Sequence, residues 1–275
     1  MKRILIGAFA LLALVSCNKS KELQSVVVSN TLTFPIDGEA KVTWIQDNMG
    51  VHNMPVSLFT VTDSTNIDSA FVANGIPASM SSYLLCVGDK KALFDAGNGG
   101  ERGFLVRKLD SLGVAASDID YLFITHFHGD HIGGMLNGDK PVFENAQVYA
   151  AKLEYDGWID SLPADKNQLQ VKTMKAYETR LNLFNYGDTL PLGVVAIDAK
   201  GHTPGHTVFQ YNNLLVIGDL IHGAALQLVD PNICAVFDQN KEQAIESRKR
   251  ILQYAAENNM IYVGMHTPPM RSVAK

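Results

Sequence analysis

The stretch THFHGDHIGG, residues 125–134, decides both the fold and the chemistry that this 275-residue sequence can support. It places His126, His128, Asp130 and His131 within six residues, directly after an apolar segment typical of a buried strand. Imidazole and carboxylate groups are suitable ligands for zinc and similar divalent ions. His126 and His128 are two residues apart, so in an extended segment they point the same way. Asp130 and His131 follow where the chain turns into a helix, so the stretch can present two pairs of ligands to two neighbouring metal ions.

The segments on either side of this stretch alternate between strand and helix patterns. Short β-prone runs predict strands at 25–28, 40–45, 56–61, 82–87, 91–94, 119–125, 147–150, 181–184, 193–198, 207–211, 214–217 and 260–263. Helical spacing of apolar residues predicts helices at 103–112, 152–159, 168–178 and 241–258. Two strand-rich halves with helices between them predict an α/β sandwich, two packed sheets with helices outside and the chemistry on the loops.

A histidine-x-histidine-x-aspartate-histidine motif after a strand resembles the signature of the metallo-β-lactamase superfamily. The other elements of that family's pattern also appear in the expected order. FDAG lies upstream at 94–97, and GHTPGH at 201–206, the Gly218-Asp219 pair and His266 lie downstream. The resemblance covers roughly residues 40–270. It implies an αββα sandwich, in which two mixed β-sheets are flanked by helices.

The resemblance also implies a ligand set for two divalent metal ions. The first ion would be held by His126, His128 and His202, the second by Asp130, His131 and His266, and Asp219 would bridge the two. Zinc is the default, and a site of nitrogen and oxygen donors also accepts manganese, iron or cobalt.

Two further residues of the pattern receive supporting roles from the resemblance. Asp95 would support the site without binding metal. In GHTPGH the first histidine, His202, is the expected ligand and His206 a structural histidine, although the chemistry of the residues alone does not separate the two.

An aspartate at the bridging position, with no cysteine ligand, resembles the hydrolase branches more than the dinuclear β-lactamases. The C-terminal third is similar to the methyl parathion hydrolase and lactonase-like branch, at 201–207, 218–221, 224–227, 237–238 and 247–250. The implied activity is a hydrolase that uses hydroxide bound by two metal ions to open a lactone or cleave a carboxylic ester. The alternatives are an organophosphate triesterase, a thiolester hydrolase and a non-catalytic binding protein.

Two residues are candidates for proton transfer in such a reaction. Asp130 could pass a proton to the leaving group. His222 lies three residues after Asp219, where some lactonases of the superfamily place a tyrosine that contacts the substrate carbonyl. His222 would polarise the substrate carbonyl or protonate the substrate in the same place. The alternative is a supporting or surface histidine. His52 has no motif around it and is expected at the surface, while Phe127 and Trp158 would line a pocket or pack elsewhere.

The N-terminal residues resemble a bacterial lipoprotein signal. Lys2 and Arg3 precede an apolar run at 4–15, and the sequence LVSC at 14–17 resembles a lipobox. This predicts a signal peptide at 1–16, lipidation of Cys17, a flexible tether at 17–24 and a hydrolase domain at 25–275. The protein would be exported and lipid-anchored in the bacterial cell envelope, in the periplasm or at the cell surface. The alternative is an ordinary secretory signal.

The composition limits the partners. The net charge is −5 and no run of Lys or Arg stands out, which argues against a nucleic-acid partner. The expected partners are a small-molecule ester or lactone, the membrane through Cys17, and a second copy in a homodimer. Cys86 and Cys234 lie in apolar segments and are expected to be buried thiols, with a disulfide between them as the alternative. The chain ends nine residues after His266, so we expect a shortened pocket wall there.

Overall fold

The computed structural model describes residues 26–28, 31–36, 38–61, 65, 67–163, 165–268 and 272–273. The predicted signal peptide at 1–16, the lipidation site Cys17 and the tether at 17–24 lie outside the described residues. Among the residues that the structure describes, no helix is long and apolar enough to cross a bilayer.

The strands are numbered along the chain. The first eight are β1 Val26–Val28, β2 Thr31–Pro35, β3 Lys41–Gln46, β4 His52–Met54, β5 Ile76–Ala78, β6 Ser81–Val87, β7 Lys90–Phe94 and β8 Tyr121–Phe123. The others are β9 Leu136–Asn137, β10 Lys140–Pro141, β11 Gln147–Ala151, β12 Leu181–Phe184, β13 Val195–Asp198, β14 Thr207–Tyr211, β15 Leu214–Val216, β16 Ile261–Val263 and β17 Ser272–Val273.

The described residues form seven α-helices, most of them short. They are α1 Ser69–Asn74, α2 Leu105–Ser111, α3 Gly129–Ile132, α4 Lys152–Tyr155, α5 Gln168–Ala176, α6 Ala224–Gln227 and α7 Lys241–Glu257. A π-helical turn, Asp156–Asp160, continues α4. The predicted helices therefore all appear, with α7 within one residue of its expected bounds.

Two sheets form the body of the protein. The first has eight strands in the order β1-β2-β3-β6-β7-β8-β11-β12, and the second has five in the order β13-β14-β15-β16-β17. In the first sheet the pairs from β7 to β12 are parallel, and in the second only β15 and β16 are parallel. Both sheets are therefore mixed, as the resemblance implied.

Alternating side chains give each sheet two buried faces. Phe94 and Phe209 point between the sheets, whereas their neighbours Leu93 and Val208 point to the outer faces. The outer face of the first sheet packs against α2 and α5, and that of the second against α7. The predicted αββα sandwich is confirmed, because the two sheets pack together and helices cover their outer faces. The central strands are apolar on both sides because both of their faces are covered.

The prediction of a strand at 56–61 is wrong. Val56–Leu58 forms a 3₁₀ turn after Pro55, and only Phe59 makes an isolated bridge, to Ala235. The segment is apolar because Phe59 is buried in a small cluster away from both sheets, not because it belongs to one. Apolar content alone cannot distinguish these two environments.

The cysteines follow the simpler expectation. Cys86 is half-buried and Cys234 is buried, and both are free thiols. The sequence patterns did not predict six of the short strands in the described residues, namely β2, β4, β5, β9, β10 and β17.

Replacing Phe209 with alanine should destabilise the sandwich strongly. Its ring lies 5.7, 5.5 and 5.8 Å from the rings of Phe94, Phe123 and Phe184, so it joins the two sheets. Truncating a buried phenylalanine costs about 3–5 kcal/mol in the free energy of unfolding. Urea denaturation of metal-free protein measures it. Leu183→Ala, at a position 40% exposed, is the matched control and should cost less than about 1 kcal/mol. Equal losses would contradict the assigned packing.

Candidate metal centre

All seven predicted ligands lie on segments that adjoin strands of the two sheets. His126 and His128 follow β8, and Asp130 and His131 lie on α3. The other three come from the second sheet. His202 lies between β13 and β14, Asp219 follows β15, and His266 follows β16.

A first cluster contains His126, His128, His202 and Asp219. The Nε2 atoms of His126 and His202 lie 2.9 and 3.0 Å from Nδ1 of His128. Oδ2 of Asp219 lies 3.4 Å from Nε2 of His202 and 3.7 Å from Nε2 of His126. Donors around a tetrahedral zinc ion are about 3.3 Å apart. The four donor atoms therefore have the spacing of one metal site.

A second cluster contains Asp130, His131 and His266, together with the same Asp219. Oδ2 of Asp130 lies 3.4 Å from Nε2 of His266 and 3.8 Å from Nε2 of His131. Asp219 uses Oδ1 towards His131, at 3.1 Å, and Oδ2 towards His266, at 3.0 Å. Its carboxylate thus lies between the two clusters.

Unsatisfied buried atoms indicate that the clusters fit cations. Oδ1 of Asp219 and Nε2 of His131 are buried and lie 3.1 Å apart, and neither makes a well-aligned hydrogen bond to any described residue. Leaving such groups unpaired is costly. A divalent ion between them would satisfy both, so the donor set present suits the metal ions that the resemblance implies. The assignment of individual ligands stays a prediction.

Three of the histidines are held from behind through Nδ1, which directs Nε2 to the centre. The Nδ1–H group of His131 donates to Asp95 at 2.7 Å, that of His202 to Asp238 at 2.9 Å, and that of His266 to the carbonyl of Ser79 at 3.0 Å. Metal-binding histidines typically have such a partner, which fixes the tautomer and the ring.

Asp95 also accepts hydrogen bonds from the backbone N–H and the hydroxyl of Thr125, at 2.8 and 2.7 Å. It lies behind His131 and contacts it at the ring nitrogen opposite the cluster. This is a supporting position, as the sequence suggested.

Burial keeps the histidines of the first cluster neutral. It lowers the pKa of His202 to about 3 and that of His128 to about 4, and it holds the pKa of His126 well below its usual value. A neutral imidazole offers the lone pair that a metal needs.

The second cluster is different. Burial lowers the pKa of His266, but the charge of Asp219 and its hydrogen bond outweigh burial and raise it to about 8. Burial likewise opposes protonation of His131, and the charges of Asp219, Asp95 and Asp130 raise its pKa well above the ordinary value. In the absence of metal these two imidazoles therefore carry protons.

The two remaining histidines of the centre have distinct positions. His206 donates from Nδ1 to the carbonyl of Ala199 and accepts at Nε2 from the backbone N–H of Asp219, at 2.9 Å. Both ring nitrogens of His206 are therefore hydrogen-bonded to the backbone, and His206 holds the backbone of Asp219 in place. His222 is 1% exposed, which excludes the surface alternative. Its Nε2 lies 3.2 Å from Oδ2 of Asp219, and its ring stacks on His266 with centroids 5.1 Å apart.

His52, which was expected at the surface, is half-buried on β4. Its pKa is lowered by burial and by the charge of His266, against the effect of Asp130. No motif surrounds His52, because the two charged groups that act on it, Asp130 and His266, lie far along the chain. Phe127 is buried in the core, and Trp158 packs edge-on against His128 with ring centroids 5.5 Å apart.

Sequence reasoning assigned no role to Asp238 or Arg248. Asp238 orients His202, and its other oxygen lies 3.3 Å from the guanidinium of Arg248, which is 1% exposed. The sequence did contain one signal for the buried pair of Arg248 and Asp238. Arg248 lies on the apolar face of α7, four residues after Ala244 and three before Ile251, and a charge on that face predicts a buried partner.

Comparisons with known proteins agree with this geometry. A family model described as the metallo-beta-lactamase superfamily matches residues 76–258. A crystal structure of AbOPH, a hydrolase in the beta-lactamase superfamily, superposes with a TM-score of 0.76 at 23% identity, covering 89% of this chain and 92% of that one. AidC, a dizinc quorum-quenching lactonase in complex with a product, superposes with a TM-score of 0.75 at 26% identity, covering 90% and 92%.

Among curated proteins, the chain is 26% identical over 149 residues to a probable metallo-hydrolase of Methanocaldococcus jannaschii, covering 54% of this chain and 58% of the relative. The chain spans less than two thirds of the length of the first curated relatives that it matches.

Metal uptake by the metal-free protein should release protons from His131 and His266, because a metal ligand must be deprotonated. The affinity of the second cluster should rise with pH through about 8, the pKa of His266. The affinity of the first cluster should not change over this range, because the pKa values of His128 and His202 are about 4 and about 3. Zinc titration calorimetry in buffers of different ionisation enthalpy measures the protons released. Identical heats in all buffers would contradict the expectation.

Proposed function

Since the chain belongs to the metallo-beta-lactamase superfamily, we propose that it is a metal-dependent hydrolase that opens a lactone or cleaves a carboxylic ester. The observation that carries this proposal is the carboxylate of Asp219 between two clusters of donors, each with the spacing of a divalent-cation site. His126, His128 and His202 would hold one cation, Asp130, His131 and His266 the other, and Asp219 both. Zinc is the expected metal.

The chemistry that bound divalent cations supply at such a site is a water of lowered pKa and a polarised substrate carbonyl. The protein's own contribution is to orient the donors and to carry protons. Hydrolysis adds water across the ester bond, so one proton must move from the attacking water to the leaving oxygen.

Asp130 is the first candidate for carrying this proton. Its side chain is 25% exposed, against 3% for Asp219, so it is the more accessible of the two carboxylates. Burial raises its pKa, but the charges of His131 and His266 outweigh burial and lower it, so the carboxylate is ionised and can accept a proton. The same group can then donate that proton to the leaving oxygen.

His222 is the second candidate. It is buried beside Asp219 and His266, and its Nδ1 has no hydrogen-bond partner among the described residues. We propose that its imidazole polarises the substrate carbonyl or protonates the leaving oxygen. Its backbone N–H is fixed by the side chain of Gln227 at 2.8 Å, which limits movement of the loop.

The similarity to AidC favours a lactone over other esters, because AidC is a lactonase and the alignment covers most of both chains. An organophosphate triester would need the same cations and proton carrier, and it is the alternative to exclude. Thiolester hydrolysis and non-catalytic binding are the minor alternatives.

The proposed setting follows from the N-terminal sequence. We propose an exported protein attached to a membrane of the bacterial cell envelope through lipidated Cys17, with a small-molecule substrate and with a homodimer as its assembly. Mass spectrometry of the protein purified from its native membrane tests the lipid. An unmodified mature N-terminus would contradict the anchor.

Purified protein should contain about two metal ions per chain and should hydrolyse acyl lactones faster than phosphotriesters. Metal analysis and rates on both substrate panels, measured on the same sample, check this. Faster phosphotriester turnover would replace the lactone by the alternative substrate. Protein that binds no metal, even after reconstitution, would contradict the hydrolase.

Asp130→Asn should lower kcat about 100-fold or more, because the amide cannot carry a proton. The metal content of the variant must be measured beside its rate, since Asp130 is also a proposed ligand. A variant with two metal ions and unchanged turnover would exclude Asp130 as the proton carrier. Asp160→Asn, at a carboxylate outside both clusters, is the control and should keep full activity.

A further inference from the structure

A buried carboxylate outside both clusters has no role in the proposed chemistry. Glu154 lies on α4 and is 1% exposed. Burying an ionisable group without a function is costly, so its partners are informative. The pKa of its carboxyl is raised to about 7 by burial, against the effect of its hydrogen bonds to the backbone.

Each oxygen of Glu154 accepts a hydrogen bond from a different metal-binding loop. Oε1 accepts from the backbone N–H of Phe127 at 2.8 Å, and Oε2 accepts from the backbone N–H of Gly205 at 2.8 Å. Phe127 is the residue between His126 and His128, and Gly205 belongs to the turn that carries His202. One carboxylate therefore joins the two loops that supply the histidines of the first cluster.

The next peptide group, between Phe127 and His128, is held as well. Its carbonyl accepts a hydrogen bond from Nε2 of Gln170 on α5, at 2.8 Å, and Gln170 is buried. Both backbone polar groups of Phe127 are thus fixed by side chains, one from each of two elements. Rotation of either peptide group would move His126 and His128 relative to each other.

The loop of His202 lies so close to α4 and the π-helical turn after it that no side chain larger than glycine fits at two positions in this contact. A Cβ atom at Gly205 would overlap the backbone of Glu154, and one at Gly157 would lie 2.8 Å from the ring of Pro204. The backbone of the loop therefore rests directly on the helix that carries Glu154.

We propose that Glu154 is a positioning residue for the first cluster, which sets the distance between the His126–His128 pair and His202 before a cation binds. The inference rests on the proposed metal site and goes beyond it, because Glu154 binds neither metal nor substrate. Gln170 assists by fixing the adjoining peptide group, between Phe127 and His128.

Glu154→Gln tests the inference. The glutamine has nearly the same shape, but its amide has one accepting oxygen and presents N–H groups to one of the two backbone donors. Stepwise zinc affinities, measured by competition with a fluorescent chelator, should show one binding step weakened about 10–100-fold. That step is identified as the one that His128→Ala removes. The other step should be unchanged.

The control separates positioning from general loss of stability. Asp47 is also a fully buried carboxylate that accepts backbone N–H groups, but its partners are Asn98, Phe104 and Leu105. Asp47→Asn should lower the thermal stability of the metal-free protein and leave the first-cluster step unchanged. If Glu154→Gln weakens both steps equally, or neither, the inference is overturned.

Gln170→Leu provides a second test that does not depend on the folding of Glu154→Gln. It should weaken the same step by about 3–10-fold, since one of several supports is lost, and an unchanged step would count against the inference. Cobalt(II) absorption spectra of wild type and variant should differ in the bands of the first cluster alone. Wild-type protein that binds no metal would contradict the proposed function instead, which keeps the two failures distinct.

Discussion

The charge of Asp219, buried between two groups of imidazoles, is the constraint on which the rest of the site depends. A fully buried carboxylate must be compensated, and here the compensation comes from histidines on every side. Burial raises the pKa of Asp219, but the charges of His131 and His266 outweigh it and hold the pKa well below the usual range. Its backbone is fixed by His206, and Gly218 adopts a positive φ of 52° in the turn that delivers it.

Preorganisation of the donors follows from a second layer of polar groups. Asp95, Asp238 and the carbonyl of Ser79 each occupy the rear nitrogen of one histidine. Arg248 holds Asp238 in turn, with further hydrogen bonds to the carbonyls of Leu220, Pro231 and Ile233. A guanidinium buried in this way is satisfied by a fixed set of acceptors. The arrangement costs stability in the core and gives the imidazoles one orientation.

The sequence predicted the parts of this structure in which local pattern and chemistry coincide. The motif at 126–131 combines ligand chemistry with a strand-to-helix transition, so its position and the sandwich around it could both be inferred. Supports such as Asp238, Glu154 and Gln170 could not, because their partners are brought close only by the tertiary fold. The strand predicted at 56–61 was wrong for a related reason. Its apolar residues pack in a small cluster outside both sheets, and their sequence pattern is the same as that of a buried strand. The lowered pKa of His52 likewise depends on burial and on the charge of His266, which is distant along the chain.

The donors come from both sheets, and this has a consequence for the order of events during folding. Residues 126–131 belong to the first sheet, whereas Asp219 and His266 belong to the second, and no single half contains a complete cluster. Contacts between such distant parts of a chain form late and slowly. A cation bound across the joint would therefore favour the docked state of the two halves over any partly assembled one. In a compartment where metal is scarce, the supply of ions would then influence how much of the newly made protein survives proteolysis, independently of how fast each mature molecule turns over its substrate.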